Sequence, residues 1–392
     1  MSIELFTVAP AFYEKQLKSL DKIAAFNRIN ALSCIKSASH GWLASSFSVC
    51  EVLTALYFHF DEKNVVLSKG HAAAMQYACL HGLGKLSRED LLSYKNGIKG
   101  LQAHSSSSTP GIPINSGSLG MGISKVAGLS FYRPDERFAV ILGDGELQEG
   151  QVFESLQTVA SQFLDNLTII VDVNGYQSEF EVDQIKGIAD YEQVFKGFGF
   201  VVRSIDGHSP AAVVNAWLES EGIPTVILSQ TVKGGGSGHL EPEDGRQQWH
   251  AKVPDDALYL DILDEQIDLA SVDDLTREFD VYRESTRRRI RRGKKRSRPK
   301  SGVWNIGGVD LQKSLNAART KQRGKGMGTE LPSTGRAFSK RVEYMMPSLK
   351  NLVVLDADLA QSCRLDGLQS DERFLEMGIS EQDMVSFAGG LA

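Results

Sequence analysis

Two polar residues, Asp144 and Asn174, stand directly after two apolar segments that have the length of buried strands. The run 138–142 precedes Asp144, and the run 167–173 ends immediately before Asn174. Between them, residues 152–163 carry apolar side chains at the spacing of one helix face. This strand, helix, strand pattern predicts a parallel sheet, so both polar residues follow carboxyl ends of strands, where ligands bind in open α/β sheets.

The residue types of this pair suit a hard metal ion held beside a phosphate group. Asp144 offers a carboxylate and Asn174 an amide oxygen, which are ligands that Mg²⁺ or Ca²⁺ accepts. Gly143 and Gly145 would let backbone N–H groups approach a diphosphate closely. A Gly-Asp-Gly tripeptide by itself is more typical of a tight turn. Asn174, one strand later, favours a binding site instead.

Twenty-eight residues separate Gly145 from Asn174. This spacing resembles the thiamine diphosphate signature, and the text Gly-Asp-Gly-Glu-Leu-Gln-Glu-Gly over 143–150 resembles the transketolase family in particular. The resemblance implies an α/β thiamine diphosphate-binding fold, with a parallel sheet flanked by helices. It also implies that the backbone carbonyl of Tyr176 joins Asp144 and Asn174 as a metal ligand. The cofactor-binding residues implied in this way are Gly120, Gly143, Gly145, Glu146, Asn174, His71 and Glu381.

Four histidines lie in segments that resemble transketolase, and the family uses histidines at such places to handle substrate hydroxyl and carbonyl groups. They are His40 in Ala-Ser-His-Gly, His71 in Ser-Lys-Gly-His, His104 in Gln-Ala-His and His250 in Trp-His. Imidazole can donate or accept a proton near neutral pH. His59, His81 and His208 lack such flanking text, and we expect them to serve structural or surface roles.

Two loops depart from the family pattern. His104 is followed by four serines, 105–108, where the family usually has proline and a charged residue. The glycine-rich segment 234–238 is unusually flexible in composition. These departures bear on the identity of the substrate rather than on the cofactor.

A second ordered region, 331–392, resembles the opening of the pyrimidine-binding domain of transketolase. Glu381, in Gly-Ile-Ser-Glu-Gln-Asp-Met, matches the glutamate that hydrogen-bonds the aminopyrimidine ring. Arg336 and Ser362 match positions where the family holds a sugar phosphate. Without that flanking text, Glu381 would be interpreted as an ordinary first-turn helix residue.

The composition changes twice between these regions. Residues 255–280 hold ten acidic side chains and one basic one, and residues 287–300 hold ten Lys or Arg among fourteen. The sequence thus predicts a diphosphate-binding domain over 1–265, a charged linker over 266–330 and the start of a pyrimidine-binding domain over 331–392. The basic run would fold back on the acidic one or dock to a partner, and nucleic acid is disfavoured because no aromatic side chain interrupts it.

A transketolase continues beyond the part that this chain resembles, so the resemblance implies either a fragment or one half of a split enzyme, and we favour the split enzyme. We therefore expect a complementary C-terminal transketolase subunit to complete the pyrimidine-binding domain, with two such pairs forming a heterotetramer about a twofold axis. The apolar face of Met384, Phe387 and Leu391 would otherwise lack cover, and the chain alone should be inactive or prone to aggregate.

Bulk composition agrees with a globular protein in a reducing compartment. The chain has 392 residues, is 42% hydrophobic and has a net charge of −6. Its four cysteines are scattered, no secretory signal stands at the start and no run reaches membrane-spanning length. These features favour a cytoplasmic location and no membrane partner.

The resemblance implies two-carbon ketol transfer from a ketose, or ketose phosphate, to an aldehyde. Two alternatives stay open. The altered His104 loop fits transfer to an acyl carrier or another unusual acceptor, whereas Arg336 and Ser362 favour a phosphorylated sugar. A non-catalytic docking subunit that uses the basic run is the other alternative, although such a subunit would need none of Asp144, Asn174 and Glu381.

Overall fold

The computed structural model describes residues 4–97, 100–294, 334–357, 360–378 and 380–392, without the side chains of 288–294, 334–337, 361, 362 and 366. The chain forms two compact units. The first comprises Met1–Ile290 together with Met377–Ala392, and the second comprises Arg291–Glu376. Among the described residues, no helix is both long and apolar enough to cross a membrane.

The first unit is built on a five-stranded parallel sheet with the strand order β1-β2-β3-β7-β6. Its strands are β1 (Val65–Leu67), β2 (Phe138–Gly143), β3 (Leu167–Val173), β6 (Val201–Asp206) and β7 (Thr225–Gln230). A separate antiparallel hairpin pairs β4 (Tyr176–Gln177) with β5 (Phe180–Glu181). The predicted α/β fold with a parallel sheet is thereby confirmed. The apolar runs 138–142 and 167–173 lie in β2 and β3. Both are almost wholly buried, as expected for a sheet covered on both faces.

Helices flank this sheet and supply most of the remaining core. Those of the first unit are α1 (Pro10–Lys15), α2 (Leu20–Ala38), α3 (Leu43–Ser48), α4 (Cys50–Thr54), α5 (Ala73–Gly82), α6 (Arg88–Leu91), α7 (Gly122–Tyr132), α8 (Gly150–Ser161), α9 (Val182–Lys186), α10 (Tyr191–Gly197), α11 (Pro210–Leu218), α12 (Asp256–Ala270) and α13 (Asp273–Lys294), whose last residues, 291–294, fall in the second unit. The helices of the remaining chain are α14 (Thr334–Met345), α15 (Ala360–Cys363) and α16 (Glu381–Leu391).

The acidic stretch, 255–280, is largely helical and belongs to the first unit. The predicted domain boundary at residue 265 falls within α12, whose Tyr259 hydroxyl accepts a hydrogen bond from the Phe6 N–H at 3.1 Å. Arg283 on α13 donates hydrogen bonds to both carboxylate oxygens of Asp264 on α12, at 2.5 and 2.7 Å. Arg287, the first residue of the basic run, lies 4.0 Å from the same carboxylate. Residues 295–333, which hold the rest of the predicted linker, lie outside the described chain.

The second unit has a small core of its own. Its strands β8 (Val354–Asp356) and β9 (Phe374–Glu376) pair in parallel, and Met346, Val354 and Phe374 are buried between them and the helices. Arg336 and Ser362 lie on α14 and α15, but their side chains are outside the described part of the structure.

Helix α16 belongs to the first unit, although the sequence placed it in the second domain with 331–376. The Phe387 side chain is fully buried, and its ring centroid lies 5.9 Å from that of Phe131 on α7. Gln151 on α8 donates a hydrogen bond to the Ser386 hydroxyl at 2.7 Å. The expectation that Phe387 would be left exposed is wrong. Gly128 on α7 has no side chain, so α16 packs closely against α7 and buries Phe387.

We expect substitution of Gly128 to release α16 from this position. A Cβ atom at Gly128 would lie 2.2 Å from the Phe387 carbonyl oxygen, a distance that no side chain tolerates. Gly128→Ala should destabilise the packed state by roughly 1–3 kcal/mol. Hydrogen exchange of the amides of 381–391 should accelerate accordingly. Gly389→Ala is the matched control, since a Cβ atom there meets nothing within 4 Å, and equal protection in both variants would contradict the packing.

Candidate functional site

A cleft of about 570 Å³ opens at the carboxyl edge of the parallel sheet. Strands β2 and β3 are in register with Gly143 opposite Asp172, so the residues that follow each strand meet at this edge. The cleft is lined by nine of the residues predicted for the site, namely His71, His104, Gly143, Asp144, Gly145, Glu146, Asn174, Tyr176 and His250. The described structure thus brings most of the predicted constellation together.

Hydrogen bonds to neighbouring backbone and side-chain groups hold Asp144 and Asn174 in place. The Asp144 carboxylate accepts hydrogen bonds from the Gly145 N–H at 2.8 Å and the Gly175 N–H at 2.6 Å. The Asn174 amide nitrogen donates to Asp172 at 2.7 Å. Because the amide nitrogen makes this hydrogen bond, Oδ1 is the atom of Asn174 that can serve as a metal ligand. Oδ1 accepts a hydrogen bond from the Tyr176 N–H at 3.1 Å.

These residues fit a hard divalent cation. Within the described ranges, no group of three or more His, Cys, Asp or Glu side chains could hold a metal, so a site here would rely on amide and carbonyl oxygens. Burial, reinforced by the neighbouring Asp172 carboxylate, raises the pKa of Asp144 to about 6. A cation beside Asp144 would offset both effects. The Tyr176 carbonyl, the third expected ligand, accepts a hydrogen bond from Lys233 Nζ at 3.0 Å.

Lys69 and Asp172 form a buried ion pair beneath the cleft, each with a side chain that is 1% exposed. Asp172 also accepts hydrogen bonds from Ser48, at 2.7 Å, and from Thr231. Burial opposes ionisation of Asp172, but Lys69 and these hydrogen bonds outweigh it and lower its pKa. This carboxylate orients Asn174, a role that sequence reasoning missed because Asp172 stands inside the apolar run of β3.

Removing the charge of Lys69 should be strongly destabilising. Lys69→Met leaves the Asp172 carboxylate buried without its ion-pair partner, which typically costs about 3–5 kcal/mol. Urea denaturation measures this change in the free energy of unfolding. Lys196→Met is the control, because Lys196 pairs with Glu192 at the surface, where such pairs contribute about 0–1 kcal/mol. Similar midpoints for both variants would rule out the structural role of the buried pair.

The Glu146 side chain links the loop that contains Gly120 to the end of β2 at Gly143. Its carboxylate accepts hydrogen bonds from the Gly120 N–H at 2.8 Å, from the Gly143 N–H at 3.2 Å and from the Ser68 hydroxyl. Burial raises its pKa despite these bonds. Gly120 has a left-handed φ of 84°, and a Cβ atom there would lie 2.6 Å from the Glu149 side chain. Gly120 therefore sits behind the cleft wall, where it shapes the wall through Glu146.

Three of the four predicted histidines, His40, His71 and His104, surround one residue that the sequence did not single out, Trp42. Its ring centroid lies 5.1 Å from that of His104, 5.8 Å from that of His40 and 6.2 Å from that of His71. His250 contacts His71, with their centroids 5.9 Å apart. Trp42 lines the cleft, whereas His40 is exposed outside it and contacts Lys95 Nζ at 2.7 Å. The signal available in the sequence was the tryptophan beside His40 and Gly41.

The three histidines that line the cleft are neutral at neutral pH. Burial, followed by the charges of Lys69 and neighbouring groups, lowers the pKa of His71 well below its usual value. Burial and the charge of Lys233 lower the pKa of His250 to about 4, and burial and Lys95 lower that of His104. Each ring therefore has one donor and one acceptor nitrogen, which suits hydroxyl and carbonyl groups.

His250 should stay unprotonated from about pH 5.5 to 8 in the folded chain. Its folded pKa of about 4 lies below the unfolded value of about 6.5, so the unfolded state binds more protons between these values. The contribution of His250 to stability is therefore complete above about pH 6.5 and is lost as the pH falls toward 4. NMR titration of the ring checks this, with His250→Gln used for assignment. A midpoint near 6.5 would contradict the buried environment.

Lys233 is a second cation that sequence reasoning did not assign. It is 2% exposed, donates to the Tyr176 and Ser178 carbonyls and lines the cleft. Burial and the charge of Lys69 lower its pKa to about 7, against the opposing effect of Asp144. Its position in Thr-Val-Lys-Gly was the signal, since that segment precedes His250 in the transketolase-like text.

Glu381 does not line the cleft of its own chain. It is the first residue of α16 and its side chain is exposed. Glu381 is therefore separate from the histidines and from Asp144 within the described chain.

This chain belongs to the transketolase family. Residues 54–251, about half of its length, match the family model described as transketolase, thiamine diphosphate binding domain. The region begins on α4 and ends beside His250, so it contains the sheet and nearly all of the cleft.

Two relatives are similar to this chain over different extents. Human transketolase is 26% identical over an alignment of 397 positions, which covers 97% of this chain and 59% of that protein. One subunit of the apulose-4-phosphate transketolase of Actinobacillus succinogenes is 31% identical over 261 residues, covering 62% of this chain and 94% of that relative. The chain thus spans about three fifths of the length of human transketolase.

The solved structure of a transketolase from Campylobacter jejuni has the same fold. It superposes with a TM-score of 0.74 at 21% identity, over 95% of this chain and 63% of that one.

Proposed function

We propose that this chain carries the diphosphate-binding half of an enzyme that transfers a two-carbon ketol unit, with thiamine diphosphate and Mg²⁺ as cofactors. The observation that carries the proposal is one cleft that unites the oxygen set of Asp144, Asn174 and Tyr176 with three neutral histidines. Family membership supports the transferase class and the cofactor. The donor would be a ketose or ketose phosphate, and the acceptor an aldehyde.

Asp144, Asn174 and the Tyr176 carbonyl would hold the metal. The N–H groups of Gly143 and Gly145 would approach the diphosphate, with Lys233 as a nearby cation. Lys233 donates a hydrogen bond to the Tyr176 carbonyl, so its ammonium group would supply positive charge beside the metal ligands and the diphosphate. Bound thiamine diphosphate supplies the electron sink that ketol transfer requires.

The histidines would orient the substrate and move protons. His71, His104 and His250 are neutral, so each can donate to a carbonyl oxygen from one nitrogen and accept from a hydroxyl at the other. His40 was predicted to join them, and it lies at the rim beside Lys95, outside the cleft lining. We propose a supporting role there, through its contact with Trp42.

Another chain would complete the site. Glu381 is proposed to hydrogen-bond the aminopyrimidine ring, yet it does not line its own cleft, so it would serve the cleft of a second chain. The Actinobacillus succinogenes relative is named as one subunit of a transketolase, which supports a split arrangement. We propose that a C-terminal transketolase subunit complements this chain, and that two such pairs form a heterotetramer. Arg336 and Ser362 are proposed to bind a substrate phosphate.

The cytoplasm is the proposed location. Its support is that Cys34, Cys50, Cys79 and Cys363 are all free thiols. The buried network of Asn174, Asp172 and Lys69 favours an enzyme over the docking-subunit alternative, because docking would not require side chains held in place beneath a cleft.

Isothermal titration of the native complex with thiamine diphosphate, with Mg²⁺ and then with a chelator, tests the cofactor assignment. We expect binding that depends on the metal, followed by ketol transfer when a ketose and an aldehyde are added. Metal-independent binding without transfer would overturn the proposal.

A further inference from the structure

The oxygen ligands proposed for the metal come from two separate loops. Asp144 follows β2, whereas Asn174 and the Tyr176 carbonyl follow β3. The Gly175 N–H donates to the Asp144 carboxylate at 2.6 Å and so links the two loops, but both oxygens of that carboxylate already accept backbone hydrogen bonds. A cation at Asp144 would draw on the same atoms, so the spacing of the loops needs a contact that does not involve a ligand oxygen.

Gln148 and Gln177 make such a contact, because their side-chain amides pair with each other. Gln148 Nε2 donates to Gln177 Oε1, and Gln177 Nε2 donates to Gln148 Oε1 at 3.4 Å. Both side chains are partly buried and line the cleft. Gln148 is the last residue of the turn that follows Asp144, and Gln177 directly follows Tyr176 in β4. The amide pair thus bridges the two ligand-bearing loops.

The hydrogen bonds of Gln148 use this side chain within the protein. Its Nε2 donates to the Lys186 carbonyl at 2.9 Å as well as to Gln177, so both N–H donors of the amide are occupied. The packing between the loops is equally close, since a Cβ atom at Gly145 would lie 2.8 Å from Gln177 Cβ. The amide pair is therefore arranged to hold the loops together rather than to bind a substrate.

We propose that Gln148 and Gln177 are positioning residues for the metal, and that their amide pair holds Asp144 at the spacing from Asn174 and the Tyr176 carbonyl that a divalent cation requires. This inference rests on the proposed metal site. Neither glutamine is a metal ligand in this account. Loss of groups that orient metal ligands from outside the coordination shell lowers metal affinity by about 10–100-fold, so loss of the pair should cost about tenfold.

The test measures the Mg²⁺ concentration that half-saturates thiamine diphosphate binding to the native complex, by calorimetry. Gln177→Ala should raise this concentration about tenfold, because it removes the amide pair and leaves the contact of Gln148 with Lys186. Gln148→Ala should raise it at least as much, since it removes both contacts. The double variant should match Gln148→Ala, because the two side chains act through one interaction. Effects that multiply in the double variant would overturn the inference.

Further variants separate hydrogen bonding from bulk and from the cofactor. Gln177→Met keeps the length of the side chain without the amide, so it should match Gln177→Ala. Gln184→Ala is the control, because that amide bonds to Glu181 at 2.9 Å at the surface and does not line the cleft. Without metal or cofactor, hydrogen exchange of the amides of 175–177 should accelerate in Gln177→Ala but not in Gln184→Ala. A wild-type Mg²⁺ requirement in Gln177→Ala would refute the inference alone, whereas a wild-type complex that binds thiamine diphosphate without Mg²⁺ would overturn the proposed metal site, and this inference with it.

Discussion

Asp144→Ala should abolish the Mg²⁺-dependent binding of thiamine diphosphate. The substitution removes the only charged oxygen ligand proposed for the metal and leaves Asn174 and the Tyr176 carbonyl. Loss of groups that merely support a metal ligand weakens metal binding by about 10–100-fold, so loss of the carboxylate itself should exceed about 100-fold. Calorimetry of the native complex, with and without Mg²⁺, measures the effect.

Two further variants make this experiment specific. Asp144→Asn keeps the size of the side chain and one oxygen, which can accept from either the Gly145 or the Gly175 N–H but not from both, so it tests loss of the charge with one of the two loop contacts retained. Asp261→Asn removes an exposed carboxylate on α12 and should change nothing. Wild-type cofactor affinity in Asp144→Ala would refute the metal assignment.

Glu381→Gln should slow activation of the cofactor while leaving folding and cofactor binding nearly intact. The amide keeps the size of the side chain but cannot act as an acid or base toward the ring nitrogen. Such proton-transfer groups contribute about 10²–10⁴-fold, so deuterium exchange at the cofactor C2 position should slow by at least about 100-fold in the native complex. Because Glu381 is exposed, the free energy of unfolding should not change.

Gln382→Ala provides the control for this variant, since it alters the neighbouring exposed position on α16 without touching the carboxylate. Its exchange rate should match that of the wild type. If Glu381→Gln exchanged at the wild-type rate, the proposed role of Glu381 would be wrong, even if the metal assignment held.

The sheet and its functional edge could be predicted from the sequence because local patterns specify them. Two apolar runs form β2 and β3. Because these strands pair in parallel, the residues that follow them lie at the same edge of the sheet. The proposed metal-binding set rests on these positions and on the spacing of Asp144 and Asn174. The glycines on either side of Asp144 indicate the turn after β2, and this turn lines the cleft.

The features that could not be predicted depend on contacts distant in sequence. Asp172 is charged but stands in an apolar run, so only its contact with Lys69 explains its burial. Trp42 lies beside His71 and His104, which come from other loops, so its own segment does not show that it lines the cleft. The packing of α16 on α7 requires Gly128 to meet Phe387, and no periodicity in either segment encodes that pairing.

The central claim is that this cleft supports transfer of a two-carbon unit. The most direct measurement supplies the native complex with thiamine diphosphate, Mg²⁺, an aldehyde and a ketose labelled with ¹³C at its first two carbons, and analyses the products by mass spectrometry. Our account predicts a new ketose that contains both labelled carbons attached to the acceptor, and loss of that product in Asp144→Ala. A cofactor-loaded complex that leaves both labelled carbons in the donor would contradict it.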